Sequence, residues 1–264
     1  MIRSALMNVM TAAVIKAGRG LKRDLGELEN LQVSSKGPGD FVSLADKKAE
    51  KTLFEELSKA RPGYGFVMEE SGIVEGTDKA HVWHIDPLDG TTNFLHAIPM
   101  FAISIALERE GQIVAGLIYN PADDAMYVTE KGQGAWGNNR RLRVAGRAEM
   151  SQSLIGCGVP HLGKAAAHPK FKAELAAVMT EAVNVRRMGA ASLDLAYVAA
   201  GRLDAFWERG LNSWDIAAGV LLIREAGGYV SDADGGADPL ATGTICCGNE
   251  AIQRQLLALL RKAA

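Results

Sequence analysis

Apolar residues recur at helical spacing near the start of the chain: Leu6, Val9, Met10, Ala13 and Val14, continuing to Ala17 and Leu21. Steps of three and four line one face of an α-helix, and the basic residues Lys16, Arg19, Lys22 and Arg23 follow without a break. Asn8 and Thr11 interrupt the apolar run, so Met1 to Ile15 reads as part of an amphipathic helix of the fold rather than a cleaved secretion signal. A second helix is expected from about Ser43 to Lys59, stopped by Arg61-Pro62-Gly63. Short β-type runs follow at Tyr64–Met68 and Val82–Ile85, with longer ones at Phe101–Leu107, Ile113–Ile118 and Ala125–Thr129. Arg109-Glu110-Gly111 has the form of a hairpin turn, and Gly132-Gln133-Gly134 marks another turn. Beyond these the pattern alternates between helix (Ala165–Glu181, Ser192–Ala200, Trp214–Ala226, Glu250–Arg261) and strand (Val183–Arg187, Ala205–Trp207, Thr244–Cys247). Gly227 suits a left-handed helix cap. There is no internal repeat and no low-complexity linker. The expectation is one unit over residues 1–264, of mixed sheets layered with helices, with two lobes of about 1–150 and 151–264.

Composition narrows the classes. Apolar residues make up 48% of the 264, which is too many for a disordered chain. Lys and Arg number 29 against 31 Asp and Glu, so the basic surplus that grips phosphate backbones is missing and no direct nucleic-acid binding is expected. No stretch approaches the ~20 apolar residues of a membrane span. Three cysteines (Cys157, Cys246, Cys247), two of them adjacent, make a poor disulfide framework, and a cytoplasmic location fits them. Cys246-Cys247 lies in an apolar run and reads as core.

The chemistry gathers in Trp83-His84-Ile85-Asp86-Pro87-Leu88-Asp89-Gly90-Thr91-Thr92-Asn93-Phe94. A strand runs into Asp86, Pro87 fixes the backbone, and Gly90 allows a close approach to a ligand. Thr91-Thr92-Asn93 looks like the start of a helical turn, whose free N–H groups suit a phosphate. Two carboxylates beside such a turn repel a phosphate unless cations lie between them, and that conflict points to divalent metal. Asp-Pro and Asp-Gly also occur as ordinary turn chemistry. Two further acidic sites tilt the balance. Glu69-Glu70 leaves its strand at the position Asp86 holds on its own, and Asp215 lies in the first turn of a helix that Ser213 can cap. Zinc fits poorly: His81 and His84, three apart on a strand, face opposite ways, and no Cys is near. A P-loop and an EF-hand are absent, and the Asp-x-x-Asp spacing departs from the Asp-x-Asp of aspartyl-phosphate enzymes.

On these residues the chain resembles the inositol monophosphatase family, a group of Mg²⁺-dependent, Li⁺-inhibited phosphatases. One family signature corresponds to Trp83–Phe94, the other to Trp214-Asp215-Ile216-Ala217-Ala218-Gly219 running to Gly228. Glu69-Glu70-Ser71 and the Asp40–Asp46 stretch match as well, and Arg187–Tyr197 looks like the bacterial branch. The resemblance implies a layered αβαβα sandwich and a homodimer. It implies side-chain metal ligands at Glu69, Asp86, Asp89 and Asp215, with the Leu88 carbonyl beside them, for two or three Mg²⁺ ions. Thr91 paired with Asp46 would orient the attacking water, and Gly90, Thr91 and Thr92 would contact phosphate. Gly189, Ala190, Ala191 and Glu208 would line the polyol side. The implied substrate is inositol monophosphate or another small polyol or sugar phosphate. Histidinol phosphate, fructose bisphosphate and phosphoadenosine phosphate are rivals, and a protein-binding role in transcription is an alternative. Met68, Asn212 and Ala190 stand where many animal members have Gly, His and Thr; the first alters packing, and the other two, near the substrate hydroxyls, bear on substrate more than on chemistry. Asp46 also reads as a surface acid, Trp214 as a packing residue and Glu208 as a solvated residue after its strand. The pair Arg186-Arg187 faces either substrate or water.

Overall fold

A computed structural model describes residues 4–27, 33–37 and 40–263, with the backbone alone for 33–37 and 40–43. Met1–Arg3 of the first helical segment, and the side chains of Asp40–Ser43 in the family-like stretch, lie outside what it describes. In chain order the elements are α1 (Ala5–Leu25), β1 (Val33–Gly37), β2 (Asp40–Ser43), α2 (Leu44–Ala60), β3 (Gly65–Met68), β4 (Gly72–Val74), β5 (His81–Asp89) and α3 (Thr91–Leu95). Next come β6 (Ala102–Arg109), β7 (Gln112–Asn120), β8 (Ala125–Glu130), β9 (Ala135–Gly137), β10 (Arg140–Arg141) and β11 (Leu154–Cys157). The remainder is α4 (His168–Glu181), β12 (Asn184–Arg186), α5 (Ala191–Ala199), β13 (Ala205–Arg209), α6 (Ser213–Glu225), β14 (Tyr229–Ser231), α7 (Pro239–Thr242), β15 (Thr244–Gly248) and α8 (Glu250–Lys262).

Among the described residues these build five alternating layers, the αβαβα sandwich. The outer pair α1 and α2 covers an eight-stranded sheet of order β10-β9-β8-β7-β6-β5-β3-β4. The periodic face of α1 does what its spacing demands, burying Met7, Met10, Ala13, Val14, Ala17 and Leu21 against that sheet. On the sheet's other face lie α5 and α6, followed by a five-stranded sheet of order β12-β11-β13-β15-β14. Helices sandwiched between two sheets have no wet face, so α5 and α6 are apolar nearly all round. The last layer is α4 with α8, packed on the outer face of the small sheet.

Local chemistry follows the pattern closely. The β6–β7 hairpin turns through Glu110 and Gly111, both at positive φ (51° and 75°), which matches the right-handed strand twist. At the end of α6, Gly227 takes φ 85° and the Gly228 N–H returns to the Ile223 carbonyl at 2.8 Å. Cys246 and Cys247, neighbours on β15, point to opposite faces of the small sheet into different cores. All three cysteines are buried free thiols. The expected helix from Ala165 begins instead as a 3₁₀ turn (Leu162–Ala167), and α4 starts at His168 with Pro169 in its first turn, where a missing N–H costs nothing.

Candidate active site

Strand register brings the first two acids together. β3 and β5 run parallel with Met68 opposite Ile85, and the Glu69 N–H donates to the Ile85 carbonyl at 3.2 Å. Glu69 therefore leaves its strand beside Asp86. β5 does not stop at Ile85 as its apolar run suggests; it continues to Asp89, with a break in its pairing to β6 between Asp86 and Asp89. Pro87, which has no N–H to offer a partner strand, sits in that break. The Asp86 Oδ1 accepts the Leu88 N–H at 2.9 Å.

The other two acids are fixed by helix starts. Asn212, not Ser213, holds the capping position of α6, and its N–H donates to Asp215 Oδ2 at 2.7 Å. Ser213 instead meets His84 Nδ1 at 2.9 Å and ties α6 to β5. Asp89 Oδ2 accepts the Ser192 N–H at 2.7 Å and its hydroxyl at 2.5 Å. Asp89 thus caps α5 from a distant segment, at a helix whose own Ala190 has no side chain for the task.

This cluster is electrostatically unfavourable as it stands. Burial, then Glu69, Asp89 and Asp215, push Asp86 well above the usual carboxylate range; its residue is only 2% exposed. Burial and Asp89 lift Asp215 to about 7, against the Asn212 N–H. Burial raises Asp89 too, opposed by the Ser192 hydrogen bonds and by Arg187. Among the described residues no three His, Cys, Asp or Glu side chains already stand as a metal-holding group. Asp86, Asp89 and Asp215 each commit one oxygen to a backbone N–H, which fixes the orientation of the three carboxyls. An all-oxygen donor set of mutually repelling carboxyls, buried at Asp86 and half-buried at Glu69, Asp89 and Asp215, suits a hard divalent cation.

Beside the acids, Thr91 Oγ1 lies 3.1 Å from both Asp46 Oδ1 and the Leu88 carbonyl. Asp46 is 0% exposed, which rules out the surface-acid reading. Gly90 takes φ 89°, and a Cβ there would meet the Met100 carbonyl at 2.9 Å and Ala190 Cβ at 3.1 Å. The helical start expected at Thr91 is real, as α3, with Gly90 at its N-cap.

A cavity of about 230 Å³ is lined by Glu69, Asp89, Asp215, Glu208, Arg187 and Lys164, among others, and not by Gly90, Thr91 or Thr92. Gly189, Ala190, Ala191 and Trp214 also reach it, so the packing reading of Trp214 is incomplete. Glu208 does not follow its strand: it lies within β13, mid-sheet between β11 and β15. Its carboxyl fills the space above Gly158, where any Cβ would collide with it. Burial, Asp215 and Asp89 lift Glu208 to about 8, against Arg187 and Lys164. Arg187 lines this cavity, whereas Arg186 bonds the Val185 carbonyl beside it. Sequence reasoning missed Ser192, Asp194, Lys164 and Asn93, which become visible only when α5, β11 and the turn after β5 meet. A wider cleft of about 770 Å³ behind His84 holds none of the four clustered acids.

A five-layer sandwich with carboxylates gathered where parallel strands end and helices begin is the architecture of a metal-assisted hydrolase. The family model described as "Inositol monophosphatase family" matches residues 3–264, and the chain belongs to that family. It is 66% identical over 262 residues to the Inositol-1-monophosphatase of Mesorhizobium japonicum, covering 99% of this chain and 98% of that one. The Nus factor SuhB of Escherichia coli is 40% identical, over 97% of this chain and 96% of that protein. The crystal structure of extragenic suppressor protein suhB from Bartonella henselae superposes with a TM-score of 0.96 at 55% identity, covering 99% and 100% of the two chains.

Proposed function

We propose that this protein is a Mg²⁺-dependent phosphatase that hydrolyses inositol monophosphate or a similar small polyol or sugar phosphate. The observation that carries the reading is the convergence of Glu69, Asp86, Asp89 and Asp215, with the buried Asp86 raised by its burial and by the other three, beside a polar cavity that Glu69, Asp89 and Asp215 help to line. Glu69, Asp86, Asp89, Asp215 and the Leu88 carbonyl are the assigned holders of two or three Mg²⁺ ions. When bound, Mg²⁺ supplies positive charge to the phosphate oxygens and lowers the pKa of a water.

The chain's own groups do the rest. With its hydroxyl proton given to Asp46 Oδ1, 3.1 Å away, Thr91 would keep its oxygen lone pairs to accept a hydrogen bond from the attacking water. Gly90, with no side chain, lets the phosphate approach the N–H groups of Gly90, Thr91 and Thr92. Glu208 and the Gly189–Ala191 loop hold the polyol hydroxyls, so the ester oxygen faces Asp215. The attack is in line, with no covalent enzyme intermediate.

Supporting points set the context. No helix among the described residues is long and apolar enough to cross a membrane. Three buried free thiols fit a reducing cytoplasm. The near-neutral charge fits a small-molecule substrate rather than direct nucleic-acid binding. A homodimer follows from the family resemblance. The likeness to a Nus factor keeps open a second, protein-binding role beside catalysis. A phosphate-release panel tests the main reading, using inositol 1-phosphate, histidinol phosphate, fructose 1,6-bisphosphate and phosphoadenosine phosphate, with Mg²⁺ present and Li⁺ added. Mg²⁺-dependent, Li⁺-sensitive release that is fastest on inositol 1-phosphate supports it. Absence of Mg²⁺-dependent release from all four sinks it.

A further inference from the structure

Asn93 is 5% exposed, within the short helix α3, and its carboxamide bridges two other segments. Nδ2 donates to the Met100 carbonyl at 2.7 Å, just before β6, and to the Met188 carbonyl at 2.9 Å, in the loop before α5. Asn93 itself directly follows the Gly90–Thr92 turn assigned to the phosphoryl group. Met188, which it holds, directly precedes the Gly189–Ala191 loop assigned to the polyol. The two are packed at close quarters: a Cβ on Gly90 would stand 3.2 Å from the Gly189 carbonyl, and a Cβ on Gly189 would stand 2.9 Å from Asn93 Nδ2. The same loop leads directly into Ser192, whose N–H and hydroxyl hold Asp89.

We infer that Asn93 is a positioning residue that sets the spacing between the phosphoryl-binding turn and the polyol-binding loop, and so selects among phosphate esters. The inference rests on the phosphatase reading above. Its chemical basis is narrow. A carboxamide offers two N–H donors to two carbonyls, an ionised carboxylate offers none, and a methyl leaves both carbonyls short of a buried partner. A loop freed in this way moves relative to the turn. A substrate that spans both halves feels that movement directly, whereas one held at the turn alone feels it only through Ser192 and Asp89.

The test compares kcat/KM for inositol 1-phosphate and for p-nitrophenyl phosphate in the wild type, Asn93→Ala and the isosteric Asn93→Asp. The aryl ester has no hydroxyls to engage Glu208 and the Gly189–Ala191 loop, so it reports the catalytic half alone. In the variants we expect kcat/KM for inositol 1-phosphate to fall about ten- to a hundred-fold, mainly through KM, as a misplacement near 1 Å commonly produces. The value for p-nitrophenyl phosphate should fall only about three-fold, because the freed loop reaches the reacting centre solely through the Ser192 bonds to Asp89, which the substitution leaves intact. Retained aryl ester turnover also shows that the variant is folded; where Asn93→Ala does not fold, Asn93→Asp decides. Equal losses on both substrates, or no loss on either, overturn the inference. A wild type inactive on both esters at every Mg²⁺ concentration refutes the phosphatase reading instead.

Discussion

Metal-free protein should lose stability as pH rises from 5.5 to 8, and Mg²⁺ should remove that loss. The clustered carboxyls have folded-state pKa values above their unfolded ones, with Asp215 at about 7 and Glu208 at about 8. Below pH ~4 such groups are protonated in both states and cost nothing. Between that point and the folded value, the unfolded chain has released its protons while the native chain still binds them. Stability therefore falls with pH, and the loss is complete once pH passes the folded value. For Asp215 the stretch from pH 5.5 to its folded value of about 7 corresponds to about 2 kcal/mol if it acted alone. Part of it is repulsion shared with Asp89 and Glu69, and Glu208 titrates over the same window, so about 2–4 kcal/mol is the reasonable span for the cluster, or roughly 5–10 °C in Tm for a chain of this size. The acids with lowered values (Glu56, Glu75, Asp78, Glu108, Asp124, Asp234) act in the opposite sense, but their contribution is already complete above pH ~5. The assay is thermal unfolding at pH 5.5, 6.5, 7.5 and 8, in chelator and in saturating Mg²⁺. A metal-free protein as stable at pH 8 as at pH 6, or a pH slope unchanged by Mg²⁺, refutes the reasoning.

Three substitutions probe separate parts of the site. Asp89→Asn should abolish turnover while the protein still folds, because Asn offers α5 an oxygen but no charge to a cation; near-normal phosphate release would remove Asp89 from the metal-holding set. Glu208→Ala should alter the ranking of substrates in the release panel more than it lowers turnover on p-nitrophenyl phosphate, and a uniform loss on all substrates would contradict the polyol role. Gly90→Ala forces φ 89° on a residue with a Cβ and sets that Cβ against the Met100 carbonyl. We expect at least about 1–3 kcal/mol of destabilisation by chemical denaturation together with reduced activity; wild-type stability would show that the turn is not held as described.

How much of this was legible beforehand depends on how local the determinant is. The α1 face, the Glu110-Gly111 hairpin and the Gly227 cap are set by a few neighbouring residues, and all three are where the pattern puts them. Edges failed where an element's end depends on a partner. β5 runs on through Asp86-Pro87-Leu88-Asp89 because β6 lies beside it, and β13 takes in Glu208 because Ile245 of β15 pairs with it. The pair Glu69 and Asp86 could be suggested from matching strand exits, but only the parallel register of β3 and β5 makes them neighbours. Capping of α6 passed from Ser213 to Asn212 because His84 claims the Ser213 hydroxyl, a contact between residues far apart in the chain. Asn93 had no signal of its own: within the signature it looked like one more residue of a helical turn, and its two carbonyl partners come from other segments.

The most direct test of the central claim is the initial rate of phosphate release from inositol 1-phosphate as Mg²⁺ is titrated into chelator-treated protein. The account requires a rate near zero without metal that rises saturably with Mg²⁺. A rate that persists undiminished in chelator, or a protein that binds no Mg²⁺ at any point in the titration, would contradict it.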